Sequence, residues 1–147
     1  MMELSSFLSG KESLTDEQLQ QLIQKVRSGA RNREQFREQL QAMVQQHGKQ
    51  WEKDSLQAGK AGQGYFALGE YAEALKWLSK SGTSKQSCYL RACCLRSLQD
   101  YDGAIKEFEQ AESKGSDSFE TAMLMVECCR RKGDLEGAQD RLKRISR

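Results

Sequence analysis

Five cysteines, one histidine and a cluster of glycines are the residues in this chain that could do chemistry. The cysteines stand at 88, 93, 94, 128 and 129. Thiolates hold a metal when they converge on a tetrahedral shell. An odd number of cysteines, with four of them in two vicinal pairs, is no disulfide framework. Neighbours on a helix also point about 100° apart, which fits a metal shell badly. Free cysteine is a common small core residue, so Cys88, Cys93, Cys94, Cys128 and Cys129 read as packing residues that stay reduced. His47 lies three residues after Val44 on an apolar stripe, with no partner cysteine or serine in pattern, and reads as a partly buried packing residue rather than a general base. Gly59, Gly62 and Gly64 look like a phosphate loop but match neither G-x-x-x-x-G-K-[ST] nor G-x-G-x-x-G. The expectation is no catalysis, no cofactor and no metal.

Composition narrows the class further. The chain has 147 residues, 37% apolar and 30% charged, with 23 basic and 21 acidic side chains for a net charge of +2. The charges are mixed along the chain, and the only basic run is Arg130, Arg131 and Lys132, so no nucleic-acid partner is expected. No window approaches 18 apolar residues, so no membrane span is expected. The opening MMELSSFLSGKE lacks a basic start and a long apolar stretch, so it does not read as a signal peptide, and the expected location is cytoplasmic. Proline is absent while Gln, Glu, Lys, Leu and Ala abound, which favours helix. Val and Ile are scarce, which argues against sheet.

The elements that would position these residues repeat. Positions 69–78 read GEYAEALKWL, 99–108 read QDYDGAIKEF and 133–142 read GDLEGAQDRL. Each stretch joins two amphipathic segments. Ala58, Ala61, Gly62, Tyr65 and Leu68 lead to Tyr71, Ala74, Leu75 and Leu78. Cys88, Ala92, Leu95 and Leu98 lead to Tyr101, Ala104, Ile105 and Phe108. Ala122, Met125, Val126 and Cys129 lead to Leu135, Ala138, Leu142 and Ile145. Apolar residues at this spacing face one side of a helix. Ala74, Ala104 and Ala138 stand where paired helices approach most closely. Gly69–Glu70 and Gly133–Asp134 supply a C-terminal glycine followed by an N-terminal acid. Such hairpins cannot bury both faces alone and must stack on neighbours.

At these residues the chain resembles the tetratricopeptide repeat family. Gly62, Tyr65, Ala74, Leu78 and Ser81 match in the first repeat, Ala92, Leu95, Ala104, Phe108 and Ala111 in the second, and Ala138 and Leu142 in the third. The likeness covers about residues 55–147. It implies an all-α, right-handed superhelix of three helix-turn-helix repeats, at about 55–84, 85–117 and 118–147, within a repeat region spanning 51–147. It departs from the family in lacking the closing proline and in a 30-residue first spacing, which implies a shortened linker at 81–87 or trimmed helices. Val126 replaces the expected small residue and implies looser packing in the third repeat.

Residues 1–13 are expected to be a flexible N-terminus, and 14–50 a helical pair acting as a cap or dimer contact. Thr15 and Gln18 form a capping box before Leu19, Leu22, Ile23 and Val26. Gly29 is expected to end that helix, and Asn32 with Gln35 to start the next, carrying Phe36, Leu40, Met43, Val44 and Trp51. A break near Gly48 is favoured over one helix running to Leu68. At the far end Gln139 and Arg141 suggest a polar outer face that closes the array.

The resemblance implies that first helices line a concave surface gripping a protein segment. By register, Gly59, Gln63, Phe66, Tyr89, Cys93, Arg96, Met123, Glu127 and Arg130 lie on that face. Phe66, Arg96 and Arg130 occupy one equivalent place, an aromatic followed by two guanidiniums that could pair carboxylates. The expected partner is a protein or peptide carrying acidic residues beside an apolar anchor. Gly59 and Cys93 stand where a carboxylate clamp of the family wants Lys and Asn, so that clamp is not expected. Two other readings are a secretion or assembly chaperone for one client, and a homo-oligomeric scaffold with the helical pair 15–51 as dimer contact.

Overall fold

A computed structural model describes residues 14–145, and the expectation for residues 1–13 lies outside them. Among the described residues there are eight α-helices and no strand. They are α1 (Asp16–Arg27), α2 (Ala30–Trp51), α3 (Ser55–Leu68), α4 (Tyr71–Leu78), α5 (Lys85–Ser97), α6 (Tyr101–Ser113), α7 (Ser118–Arg131) and α8 (Leu135–Ile145). The chain divides into two compact units, one up to Gly82 and one from Thr83 onward.

In the N-terminal unit α3 is the central helix, packed against α1, α2 and α4. The Thr15 hydroxyl accepts from the Gln18 amide and the Gln18 side chain returns the bond, completing the capping box of α1. Leu19, Leu22 and Val26 of α1 are buried. Arg27 donates from Nε to the Ala67 carbonyl at 3.1 Å, an acceptor at the end of α3, and from Nη2 to the Phe66 carbonyl at 3.4 Å, which also accepts from the Gly69 amide. The α1–α2 boundary differs from expectation. Ser28 is the C-cap of α1, and extended Gly29 is the N-cap of α2, with no side-chain cap bond from Asn32. Asn32 instead donates to the Ser28 hydroxyl.

The break before α3 falls at Glu52–Asp54 rather than at Gly48. Its cause is Asp54, whose carboxylate accepts from the Leu56 and Gln57 amides and starts a new helix. Gly48 is carried inside α2, where a methyl in its place would meet Val44 and Trp77 at ordinary contact distance. His47 stacks on Trp51 at 5.7 Å, and Trp51 meets Trp77 of α4 edge to face at 6.5 Å.

The glycines of α3 are close-approach positions. A Cβ at Gly62 would lie 2.6 Å from Leu78 Cγ and 3.2 Å from Leu78 N, and one at Gly64 would lie 2.9 Å from Leu40 Cδ2. Gly59 faces the Ser81 Cβ. Gly59 and Gly64, which match no phosphate loop in sequence, have packing reasons of their own. The short first spacing arises in α4, which has 8 residues against the 13 of α6.

In the C-terminal unit α5 pairs with α6, α6 touches α7, and α7 pairs with α8. Ala92, Ala104, Phe108, Met125 and Cys128 form one core cluster, and Val126, Cys129 and Ala138 a second. Ala104, like Ala74 in the first unit, is wholly buried, and Ala138 nearly so. Asp100 and Asp134 accept from the Gly103 and Gly137 amides and start α6 and α8. The last hairpin is more open than its stripe implied. Leu135 is 65% and Leu142 40% exposed, and only Ala138 of α8 is buried. Of the two residues expected on a polar outer face, Gln139 is exposed, whereas Arg141 turns back to pair with Glu109 of α6 at 3.0 Å, and it is the apolar stripe residues Leu135 and Leu142 that stand open.

Candidate protein-binding face

The residues expected to line a groove divide between the two units. Gln63 is not presented to a ligand. It is 1% exposed, and its side-chain amide is engaged with the Leu14 backbone: the Leu14 amide donates to Gln63 Oε1 at 3.2 Å, and Gln63 Nε2 donates to the Leu14 carbonyl at 3.0 Å. The segment leading into α1 thus sits over the Gln63 position of α3. Phe66 is half-buried and packs edge to face on Tyr71 at 5.6 Å, beneath the Arg27 guanidinium that reaches its own carbonyl. Gly59 is half-buried against Ser81. In this unit the first helix of the hairpin is wrapped by its own chain.

The C-terminal unit keeps the other six. Two polar contacts bind α5 to α7 along this face. The Tyr89 hydroxyl donates to Glu120 Oε1 at 2.9 Å, and Arg96 Nη1 pairs with Glu127 Oε2 at 3.3 Å. Arg131 Nε reaches the other Glu127 oxygen at 3.1 Å, so that carboxylate is held from two sides. The Tyr89 ring also meets Phe108 edge to face at 5.8 Å. Burial, then Cys93 and Glu120, push the Tyr89 hydroxyl above its ordinary range, which keeps it a neutral donor.

Cys93 lies half-buried between these contacts. Burial pushes its thiol up to about 11, against the lowering pull of Arg96. Cys94 is driven up to about 12 by burial, and the buried Cys128 is raised by the same cause. These are protonated thiols at neutral pH, unsuited to act as nucleophiles.

Along α7 the face opens. Met123 is 40% exposed, and Arg130 is exposed with no ion pair among the described residues. Beside them stand Phe119, 63% exposed, and Leu135 at the start of α8. Phe119, Met123, Leu124, Arg130, Arg131 and Leu135 line part of a shallow depression of about 940 Å³. An exposed apolar strip of this kind, rimmed by charge, is the usual mark of a contact surface.

Phe119 and Leu135 were missed by register reasoning. The signal for Phe119 was present: with Met123 it forms an i, i+4 apolar pair off the inward stripe of Ala122, Met125 and Cys129. Of the two guanidiniums expected in line, Arg96 is occupied by Glu127 and Arg130 is available.

A family model described as anaphase-promoting complex, cyclosome, subunit 3, matches residues 42–111, from the last turns of α2 to the end of α6. That family is built of tetratricopeptide-like repeats. No curated protein and no solved structure matches the chain.

Proposed function

The chain is of tetratricopeptide type, a repeat class that serves protein–protein interaction, and on that premise we propose that its C-terminal unit holds a segment of another protein against α5 and α7. Tyr89, Cys93, Arg96, Met123, Glu127 and Arg130 form the face, extended by Phe119 and Leu135. The observation that carries this reading is the open apolar strip of Phe119 and Met123 beside the unpaired Arg130. Apolar anchors supply affinity there, and a guanidinium selects carboxylates on the ligand. The part of Tyr89, Arg96 and Glu127 is to hold α5 and α7 in fixed relation, so that the surface is preformed. No step of catalysis enters, and the five free cysteines suit a reducing cytoplasm.

The test compares native-cell proteins captured by the unmodified protein, by Met123→Glu and by Arg130→Ala, read by mass spectrometry. Specific proteins lost with Met123→Glu and depleted with Arg130→Ala are the expected result. Capture identical across all three overturns the reading. The apolar side chains of α1 and α2 that are buried, among them Leu19, Leu22, Phe36 and Leu40, are used inside their own unit, so no observation favours these helices as a dimer contact.

A further inference from the structure

The C-terminal unit contains its own example of how a helix is received. Helix α7 sits beside the α5–α6 hairpin through three contacts on the partner side. Tyr89 takes Glu120, Arg96 takes Glu127, and Phe108 joins Met125 in one core cluster. Thirty-four residues on from Tyr89, Arg96 and Phe108 stand Met123, Arg130 and Leu142. The two hairpins share their helix starts and one crossing point: Asp100 with Gly103 and Asp134 with Gly137 start the second helices, and Ala104 and Ala138 are buried at equivalent places. The α7–α8 hairpin therefore presents outward the receiving set that α5–α6 presents to α7. All three of its receiving residues are exposed.

We propose that this hairpin takes an acidic amphipathic helix from another protein, seated on α7–α8 as α7 is seated on α5–α6. The inference rests on the reading of the face given above and names its partner class. On α7, the carboxylate for the arginine, Glu127, follows the apolar residue for the core, Met125, by two positions, and Glu120 precedes Met125 by five. The incoming helix thus needs an apolar residue for Leu142 and a carboxylate two positions later for Arg130. Five positions before that apolar residue it needs another apolar one, because Met123 replaces Tyr89.

Charge decides between a foreign helix and a second copy. Glu120 is held by Tyr89, and Glu127 by Arg96 and Arg131, so the acids of this face are already engaged. What remains open is the cation Arg130. A second copy meeting this face with its own α7 would bring further arginine and no spare carboxylate. An acidic partner gains a charge pair where a second copy meets repulsion.

The probe is a labelled helical peptide of residues 118–131, with Glu120→Leu, both cysteines changed to serine and both of its arginines changed to glutamine, so that Glu127 leaves it net acidic, titrated against the full chain and read by fluorescence anisotropy. Saturable binding is expected. It should weaken about tenfold when the peptide carries Glu127→Lys, and recover when that peptide meets Arg130→Glu protein. Leu142→Asp, an exposed change that leaves the fold intact by circular dichroism, is expected to weaken the parent peptide further. Absence of binding, or binding indifferent to the Arg130→Glu exchange, overturns the proposal. Binding that follows Arg96 instead would mean exchange with α7 itself and overturns it equally. A dimer in sedimentation that Leu142→Asp dissolves would assign the face to a second copy, again against the proposal. If native capture still depends on Met123 while the peptide fails, the binding face stands and only this partner class is lost. If Met123→Glu leaves native capture unchanged, both fall.

Discussion

Helices α3 and α7 hold equivalent places in their hairpins, yet one is sealed and the other open. Around α3, Leu40 of α2 lies against Gly64, Leu78 of α4 against Gly62, and the Leu14 backbone against Gln63. Around α7, one side meets α5 and α6, while Phe119, Met123 and Arg130 meet water. The same repeat position is core in one unit and surface in the other. What a residue does there depends on the helices beside it, and register alone does not say which helices those are.

The contrast breaks most sharply under truncation. Leu40 is wholly buried, and Leu40→Ala removes the side chain packed on Gly64. The expected loss is about 3 kcal/mol in urea unfolding followed by circular dichroism. Phe119→Ser, at a position 63% exposed, is expected to change stability by under about 0.5 kcal/mol. A comparable loss at both positions would mean that α7 is covered in solution and would remove the distinction between the two helices.

The crossing points sharpen it next. A methyl on Gly62 would meet Leu78 Cγ at 2.6 Å and its backbone nitrogen at 3.2 Å, and a backbone atom cannot step aside as a side chain can. Alanine is the better helix former by about 1 kcal/mol, but overpacking costs more. Gly62→Ala is therefore expected to lose about 1–2 kcal/mol net. The C-terminal unit already has alanine at the equivalent Ala92, buried in its core cluster, so Ala92→Gly is expected to be destabilising there by about 1 kcal/mol. A stabilising Gly62→Ala would show that the two crossings have the same spacing.

Local spacing made much of this legible. Ala74, Ala104 and Ala138 announce helix crossings because small residues recur with the helical period, and all three are buried. Thr15 and Gln18 announce the start of α1 because a capping box spans four residues and needs nothing distant. What spacing could not supply were contacts made far along the chain. Gln63 has the register of Cys93 and Glu127, yet its amide is taken by Leu14, forty-nine residues away. A break is expected near Gly48, but Asp54 captures two amides and sets the break at Glu52–Asp54. Leu135 and Leu142 have the period of buried residues. They are exposed because a periodic stripe states only that one face is apolar, and no described helix lies over that face.

The turns inside the hairpins give the finest comparison. After α3, the Gly69 amide donates to the Phe66 carbonyl and the Glu70 amide to that of Tyr65. After α7, Gly133 donates to Arg130 and Asp134 to Cys129 in the same arrangement. Both glycines have left-handed backbones, at φ 79° and 88°. After α5 the bonds recur, Gln99 to Arg96 and Asp100 to Leu95, with Gln99 held at φ 68°. A Cβ in that conformation crowds the following carbonyl at a cost of about 1 kcal/mol that glycine avoids. Gln99→Gly is expected to raise stability by about that amount less the extra chain entropy glycine brings to the unfolded state, for a net gain of about 0.5 kcal/mol. Gly69→Gln and Gly133→Gln run the same exchange backwards and are expected to lose a similar amount. Three matched shifts in thermal midpoint would show that the turns are one device built three times. A loss at Gln99→Gly would mean that its side chain contributes more than the left-handed backbone costs, and would set the α5–α6 hairpin apart from the other two.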